Sequence, residues 1–268
     1  MSDEFLTELT SDGVLIATLN RPEQMNALNG AIGEGLHAAI DRANHDPEVR
    51  AILLTGNGRA FCAGAEVTAG SDPTRGGNGT VPPVFEYTDP LKGSGRMAIA
   101  FAECRVPIVA AVNGFAVGAG FGILTCCDVR IMGESARVGP IFIKRGVASD
   151  YGAAYWLPRI VGQARAYEIF YNGNPIDAAA ALEAGLANRI VPDDELLDEA
   201  LKVATSYAAG PPIGNARIRQ LLARSMDTPM RDFLELEWAY QVELLRTSDA
   251  AEGFKAFVEQ RAPEFTGR

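Results

Sequence analysis

Val112-Asn113-Gly114-Phe115-Ala116-Val117-Gly118-Ala119-Gly120-Phe121-Gly122 runs out of a predicted strand and into a predicted helix. Glycine at 118, 120 and 122 keeps side chains away from the backbone turn, so a ligand atom can approach peptide N–H groups closely. A helix that starts there points its unpaired donors and positive dipole end outward. The Lys-Ser/Thr pair of a P-loop does not follow, and the spacing is not that of a dinucleotide fingerprint. An anionic oxygen formed during a reaction fits this turn better than a phosphate.

Upstream of this turn, Gly13–Asn20 predicts a strand, Arg21-Pro22 a turn, Ala27–Asn44 an amphipathic helix and Val49–Gly56 a buried strand. Phe61–Glu66 (FCAGAE) holds too few large apolar residues to be core. The Gly-, Pro-, Asp-, Ser- and Thr-rich stretch Thr68–Thr88 predicts a mobile loop, a setting in which function is common. Lys92–Cys104 reads as a helix, Pro107–Asn113 as a buried strand, Gly118–Cys127 as a short helix and Asp128–Met132 as a further crossover strand. This alternation predicts α/β architecture, a mainly parallel arrangement of strands with helices packed outside. Beyond Tyr151 the pattern is nearly all helical, interrupted by the apolar run Leu186–Val191. The division expected is a core over 1–200 and a helical region over 201–268. The final helices carry apolar residues on more than one face, among them Phe233, Leu234, Trp238, Tyr240 and Leu244, and so need partners on more than one side.

The composition narrows the chemistry. The 268 residues are 47% hydrophobic, enough to bury a large core, and the net charge of -10 argues against a nucleic-acid partner. No apolar run is long enough to span a membrane, and the stretch from Met1 to Leu9 carries acids where a secretory leader has basic residues, so a soluble cytoplasmic protein is expected. The cysteines, Cys62, Cys104, Cys126 and Cys127, have neither metal-site nor disulfide-framework spacing, and no metal is expected. His37 and His45 fall on or just after one surface helix, which removes most support for Ser-His-Asp, Cys-His or His-zinc chemistry. Carboxylates, backbone donors or Tyr must then carry any catalysis.

FCAGAE and the glycine run each follow a predicted parallel strand, so Ala65 and Ala119 can reach the same edge of the sheet. Two N–H groups converging there would form an oxyanion hole, in which one preorganised donor is typically worth about 2.7 to 4 kcal/mol in the transition state. At these residues the chain resembles the crotonase, or enoyl-CoA hydratase/isomerase, superfamily. The resemblance extends through Asn20-Arg21-Pro22 with Asn26–Asn29, Phe61–Glu66, Ala111–Asp128, Leu157–Gly162 (LPRIVG) and the ending around Phe257, Arg261, Pro263 and Phe265–Gly267. It implies a crotonase-like spiral of strand-strand-helix units and a C-terminal helical trimerisation region, giving a homotrimer or dimer of trimers. It implies coenzyme A thioesters as ligands, with coenzyme A part of the substrate and no separate cofactor. The thioester oxygen would rest on the N–H groups of Ala65 and Ala119, and Gln24, Met25, Ala27, Ala63, Glu66 and Val67 would line the coenzyme A path. Glu66 stands where the family commonly has Asp.

Departures from the family pattern bear on the reaction. The positions of the two hydratase glutamates align with Gly122 and Phe142. Syn addition of water needs an acid and a base around that water, so ordinary hydration would have to be rebuilt from other groups, such as Asp150 with Asp72, Glu86 or Asp89. Asp150 aligns with the catalytic acid of several crotonase relatives, and the similarity is greatest to the ring-epoxide phenylacetyl-CoA isomerases. A plain alternative is that Ser149 or Asp150 caps the helix starting at Tyr151. The reading expected is an acyl-CoA isomerase in which Asp150 moves a proton while the two N–H groups hold an enolate. Phe142 would make the pocket dry and raise the Asp150 pKa. A hydratase with rebuilt acid and base, or a catalytically silent acyl-CoA binder, are the other readings.

Overall fold

The computed structural model describes residues 3–66 and 91–268. Val67, Asp72, Glu86, Asp89 and the loop expected over 68–88 lie outside these. The main sheet contains β1 (Phe5–Leu9), β2 (Val14–Leu19), β3 (Ala51–Gly56), β5 (Ile108–Val112), β7 (Val129–Gly133) and β10 (Arg189–Val191), in the order β1-β2-β3-β5-β7-β10. Only the β1–β2 pair is antiparallel, with Phe5 opposite Leu19 and Leu9 opposite Leu15; the other neighbours are parallel. The second sheet, β4 (Ala60–Cys62), β6 (Phe115–Val117), β8 (Arg137–Gly139) and β9 (Ile176–Asp177), has the order β4-β6-β8-β9.

Each of β3, β5 and β7 passes through a short turn into a strand of the second sheet, so the chain climbs as a spiral of strand-strand-helix units. The main strands are apolar at almost every position because both faces of the sheet are covered. Leu15, Ala17, Leu19, Ile52, Leu54, Ile108, Ala110 and Val112 face one core; Val14, Ala51, Leu53, Val109, Ala111 and Ile131 face the other. Helix α1 (Gly30–His45) closes the first core with Ile32, Leu36, Ala39, Ile40 and Ala43, a spacing that aligns them on one helical stripe. On the far side α7 (Leu196–Ala208) lays Leu196, Ala200, Val203, Ala204 and Ala208 along the second core. The 200/201 boundary expected from the sequence falls inside this single helix.

Three boundaries differ from those expected. The first helix starts at Gly30 and not at Ala27, because the Asn29 side chain accepts from Ile32 N–H at 3.0 Å, while Pro22–Gln24 forms a short 3-10 turn before it. The helix expected from Tyr151 starts at Ala153 as α4 (Ala153–Val161), because Tyr151 and Gly152 take left-handed backbone conformations with φ of 48° and 71°. Of the run Leu186–Val191 only Arg189–Val191 pairs as a strand.

The remaining helices are α2 (Lys92–Glu103), α3 (Ala119–Cys126), α5 (Gln163–Asn172), α6 (Ala178–Glu183), α8 (Pro212–Arg224), α9 (Met230–Leu244) and α10 (Ser248–Glu259). Arg219 on α8 ties the C-terminal region to the spiral. It pairs with Asp128 at 2.9 Å and donates to the carbonyls of Phe101, Ala102 and Cys104 at the end of α2. No helix among the described residues is long and apolar enough to cross a membrane.

Candidate active site

The site is built where β4 and β6 end. These strands pair in parallel, Ala60 with Phe115 and Cys62 with Ala116, and deliver Ala63–Glu66 and Gly118-Ala119 side by side. Gly64 turns between them with φ of 97°, and a Cβ placed on it would lie 3.0 Å from Val117 O and 3.6 Å from Ala119 N. Only glycine suits both that backbone and that proximity. Around this turn, Ala63 N–H donates to Met25 O, Leu28 N–H to Gly64 O and Glu66 N–H to Leu28 O. The pattern of bonds turns Ala65 N–H away from that ladder. Neither this N–H nor that of Ala119, the first residue of α3, meets an acceptor among the described residues. The two sequence-expected donors are thus brought to one place.

The residues expected along the coenzyme A path pack beside them. Gln24 is exposed, Met25, Ala27 and Ala63 are half-buried, and Glu66 is exposed. Met25 and Asn26 both have positive φ, 51° and 55°. The buried Asn26 pins this turn, its side chain donating to Asn57 O and Ala60 O and accepting from Arg21 N–H. Arg21 then donates to Ala27 O and to the Glu66 carboxylate, each at 2.9 Å. The side chain of Glu66 therefore joins the two loops through Arg21. Such a bond is available to a longer acid in place of Asp.

Asp150 lies against α3 one turn beyond Ala119. A Cβ on Gly122 would fall 3.1 Å from Asp150 O and 2.6 Å from Tyr151 Cβ, and residues 119 and 122 share a helix face. One carboxylate oxygen of Asp150, Oδ1, is buried and has no hydrogen-bond partner among the described residues. Burial pushes its carboxyl up to about 6, since removal from water penalises the charged form. The capping alternative is taken by the neighbour: Ser149 Oγ accepts from Ala154 N–H at 3.0 Å, leaving the Asp150 side chain free of that task.

The core behind α3 is apolar, and the two groups that feel the Asp150 charge, Cys62 and Tyr151, are uncharged near pH 7. Phe142 is buried in the same core as Ala119, Cys62 and Phe121, and Ile141 beside it reaches the Gly118 turn. Burial pushes the Cys62 thiol up to about 12; a backbone hydrogen bond from Gly64 opposes the rise and the Asp150 charge adds to it. Tyr151 is also pushed up to about 12, first by burial and then by the charges of Asp150 and Cys62. Tyr151 went unrecognised in the sequence. Its location follows from a positive φ on a non-glycine residue, which no pattern of apolar or polar residues announces. No cluster of three or more metal-ligating side chains occurs among the described residues.

This spiral with its two open N–H groups is a crotonase-type fold, and the solved chains of that fold superpose on it throughout. The chain belongs to the enoyl-CoA hydratase/isomerase family, whose model matches residues 9–268. It is 38% identical over 96% of its length to a Rhodobacter capsulatus protein named "Probable enoyl-CoA hydratase", of which 96% is covered. It is 34% identical to the 1,2-epoxyphenylacetyl-CoA isomerase of Escherichia coli strain K12, with 99% of each chain aligned. The crystal structure of an enoyl-CoA hydratase from Bacillus anthracis matches with a TM-score of 0.89 and 28% identity, covering 99% of this chain and 100% of the other. The protein is therefore an enzyme of the crotonase superfamily that acts on acyl-CoA thioesters.

Proposed function

We propose that the enzyme isomerises its acyl-CoA substrate, by a double-bond shift or by rearrangement of a ring epoxide conjugated to the thioester. The observation that carries this reading is the buried, unpartnered Oδ1 of Asp150, a residue whose backbone carbonyl lies against Gly122 of α3, one helical turn beyond Ala119. For a double-bond shift, the Asp150 carboxylate takes a proton from one acyl carbon, and the electron pair passes to the thioester oxygen held by Ala65 and Ala119 N–H. The enolate then collapses to put the double bond in its new place, and Asp150 returns the proton to another carbon. Nothing is added or lost, and coenzyme A enters only as part of the substrate. A pKa near 6 suits this work, because the group is a base at neutral pH and still holds a proton well enough to return it. Gln24, Met25, Ala27, Ala63, Glu66 and Val67 are assigned to the coenzyme A path and Phe142 to the acyl pocket.

Hydration is the second reading, supported by the hydratase names among the relatives. It asks for a second acid or base beside Asp150, whereas Tyr151 stands against Gly122 and the two positions aligned with the hydratase glutamates are Gly122 and Phe142. The deciding experiment compares wild type with Asp150→Asn on 3-enoyl, ring-epoxide phenylacetyl and crotonyl thioesters. Isomerisation by wild type that falls about 10²- to 10⁴-fold in Asp150→Asn, with acyl-CoA binding retained, is the expected result. An unimpaired variant removes Asp150 from the mechanism, and fast hydration of crotonyl-CoA reverses the ranking. Tight thioester binding with no turnover on any of these substrates, unchanged by the substitution, identifies a silent binder. The enzyme is further proposed to work as a cytoplasmic homotrimer or dimer of trimers, joined through the apolar side chains exposed on α9 and α10.

A further inference from the structure

We propose that Tyr151 is the specificity-determining residue of this site: its side chain fills the space beside Gly122, so that Asp150 meets the acyl group alone and water is excluded as a co-reactant. The inference rests on the isomerase reading. Its geometry is independent of any assignment by resemblance. A side chain at 122 would start 2.6 Å from Tyr151 Cβ and 3.5 Å from its Cγ, so this part of the wall already belongs to Tyr151. The phenol lies within reach of the charges of Asp150 and Cys62, and the ring packs against the core that holds Ala119, Cys62 and Phe142.

The backbone fixes this arrangement. Tyr151 holds φ at 48°, a conformation that is strained for a bulky residue and persists only where the surroundings over-determine it. Its carbonyl accepts from the Cys126 thiol at 3.1 Å, which ties it to α3, and Gly152 follows with φ of 71°. The consequence for chemistry is a matter of what can stand opposite Asp150. Hydration places water oxygen on C3 of an enoyl thioester and passes the water proton through Asp150 to C2. That step needs room for water beside the carboxylate, and in the proposed arrangement that room belongs to the Tyr151 side chain, which stands against Gly122. The titratable groups around Asp150 among the described residues are Tyr151 and Cys62, both held neutral near pH 7 with pKa values of about 12. A change at Tyr151 thus reaches Asp150 through solvent access alone.

The test uses Tyr151→Gly, which relieves the left-handed strain while deleting the ring, and Tyr151→Asn as a second truncation that also tolerates this backbone. Tyr151→Phe keeps the ring and removes the hydroxyl. Each is assayed for isomerisation of a 3-enoyl thioester, hydration of crotonyl-CoA and the pH profile of kcat/KM. Both truncations are expected to raise the ratio of hydration to isomerisation by about tenfold or more. They also move the acid limb down from about 6 towards the ordinary carboxylate range, as water reaches Asp150. Tyr151→Phe keeps the wild-type ratio and limb. Truncations that leave both unchanged, or a Tyr151→Phe variant that behaves like them, overturn the proposal. Wild type that fails to isomerise, beside truncations that gain hydration, sinks the isomerase reading and keeps the role of Tyr151. Wild type that isomerises, beside truncations that gain no hydration, sinks the role of Tyr151 alone.

Discussion

The buried carboxyl of Asp150 makes activity and stability pull in opposite directions at one residue. In the unfolded chain the group titrates near 3.8, and in the folded protein near 6. Below the unfolded value it is neutral in both states; as pH rises through about 6 the folded protein must bury a charge, and stability is lost. Asp150→Asn removes that liability, so the variant is expected to melt higher than wild type at about pH 8, by on the order of 1 to 2 kcal/mol after solvent screening, and no higher at about pH 4. An equal or lower melting temperature at the higher pH would falsify the account. If Asp150 is the proposed base, the same titration acts on catalysis in the opposite sense: kcat/KM is expected to rise with pH to a plateau above about 6, which a pH–rate profile checks. At this scale the sequence offered candidates, some by residue pattern and some by resemblance. Asp150 stood out because its segment aligns with the catalytic acid of several members of the family the chain resembles, and Ala65 and Ala119 because each lies in a Gly-Ala turn after a predicted parallel strand. Tyr151 and Asn26 did not stand out, since their weight comes from left-handed backbone and contacts made across the chain.

Among the elements, the close pairing of α3 with β4 sets the distance between the two open N–H groups. Gly120 is the contact point, for a Cβ there would lie 2.3 Å from Cys62 O, a backbone atom with nowhere to go. Gly120→Ala should therefore push β4 from α3, cost about 1 to 3 kcal/mol by overpacking and lower kcat more than it raises KM. Denaturant titration and steady-state kinetics read both effects, and a variant with wild-type stability and kcat would show that the contact yields. The alternation of apolar runs and turns revealed β2, β3, β5, β7 and the helices between them before any coordinates. It missed the second sheet as a sheet, because strands of two or three residues carry no period long enough to recognise, and it missed β1, whose five residues stood out only for their charge. The shift in the start of α1 has a similar origin: Asn29 caps the helix, whereas Ala27 only resembles its first turn.

For the whole molecule, the expected parallel α/β arrangement appears as two covered faces of one sheet plus a small second sheet, and the order of the spiral follows from the chain alternating between them. What the sequence signalled about the C-terminal helices was the excess of apolar faces, and in the single chain those faces are open. Trp238 on α9 and Phe254, Phe257 and Val258 on α10 are 65 to 84% exposed. Contiguous apolar surface of this kind is covered by association in most soluble proteins. Sedimentation equilibrium is expected to return the mass of three or six chains, and a monomer at micromolar concentration would contradict the oligomer proposed here. The packing has one further consequence. All four cysteines are buried, Cys62 behind the site, Cys104 at the end of α2, and Cys126 and Cys127 at the end of α3 near Arg219. A thiol label reaches Cys62 and Cys104, 0% and 1% exposed, only when their own parts of the spiral open, whereas Cys126 and Cys127 line a pocket beside Arg219, so the native sulfurs report local opening at the site and at the end of α2 against a more accessible pair at the C-terminal seam.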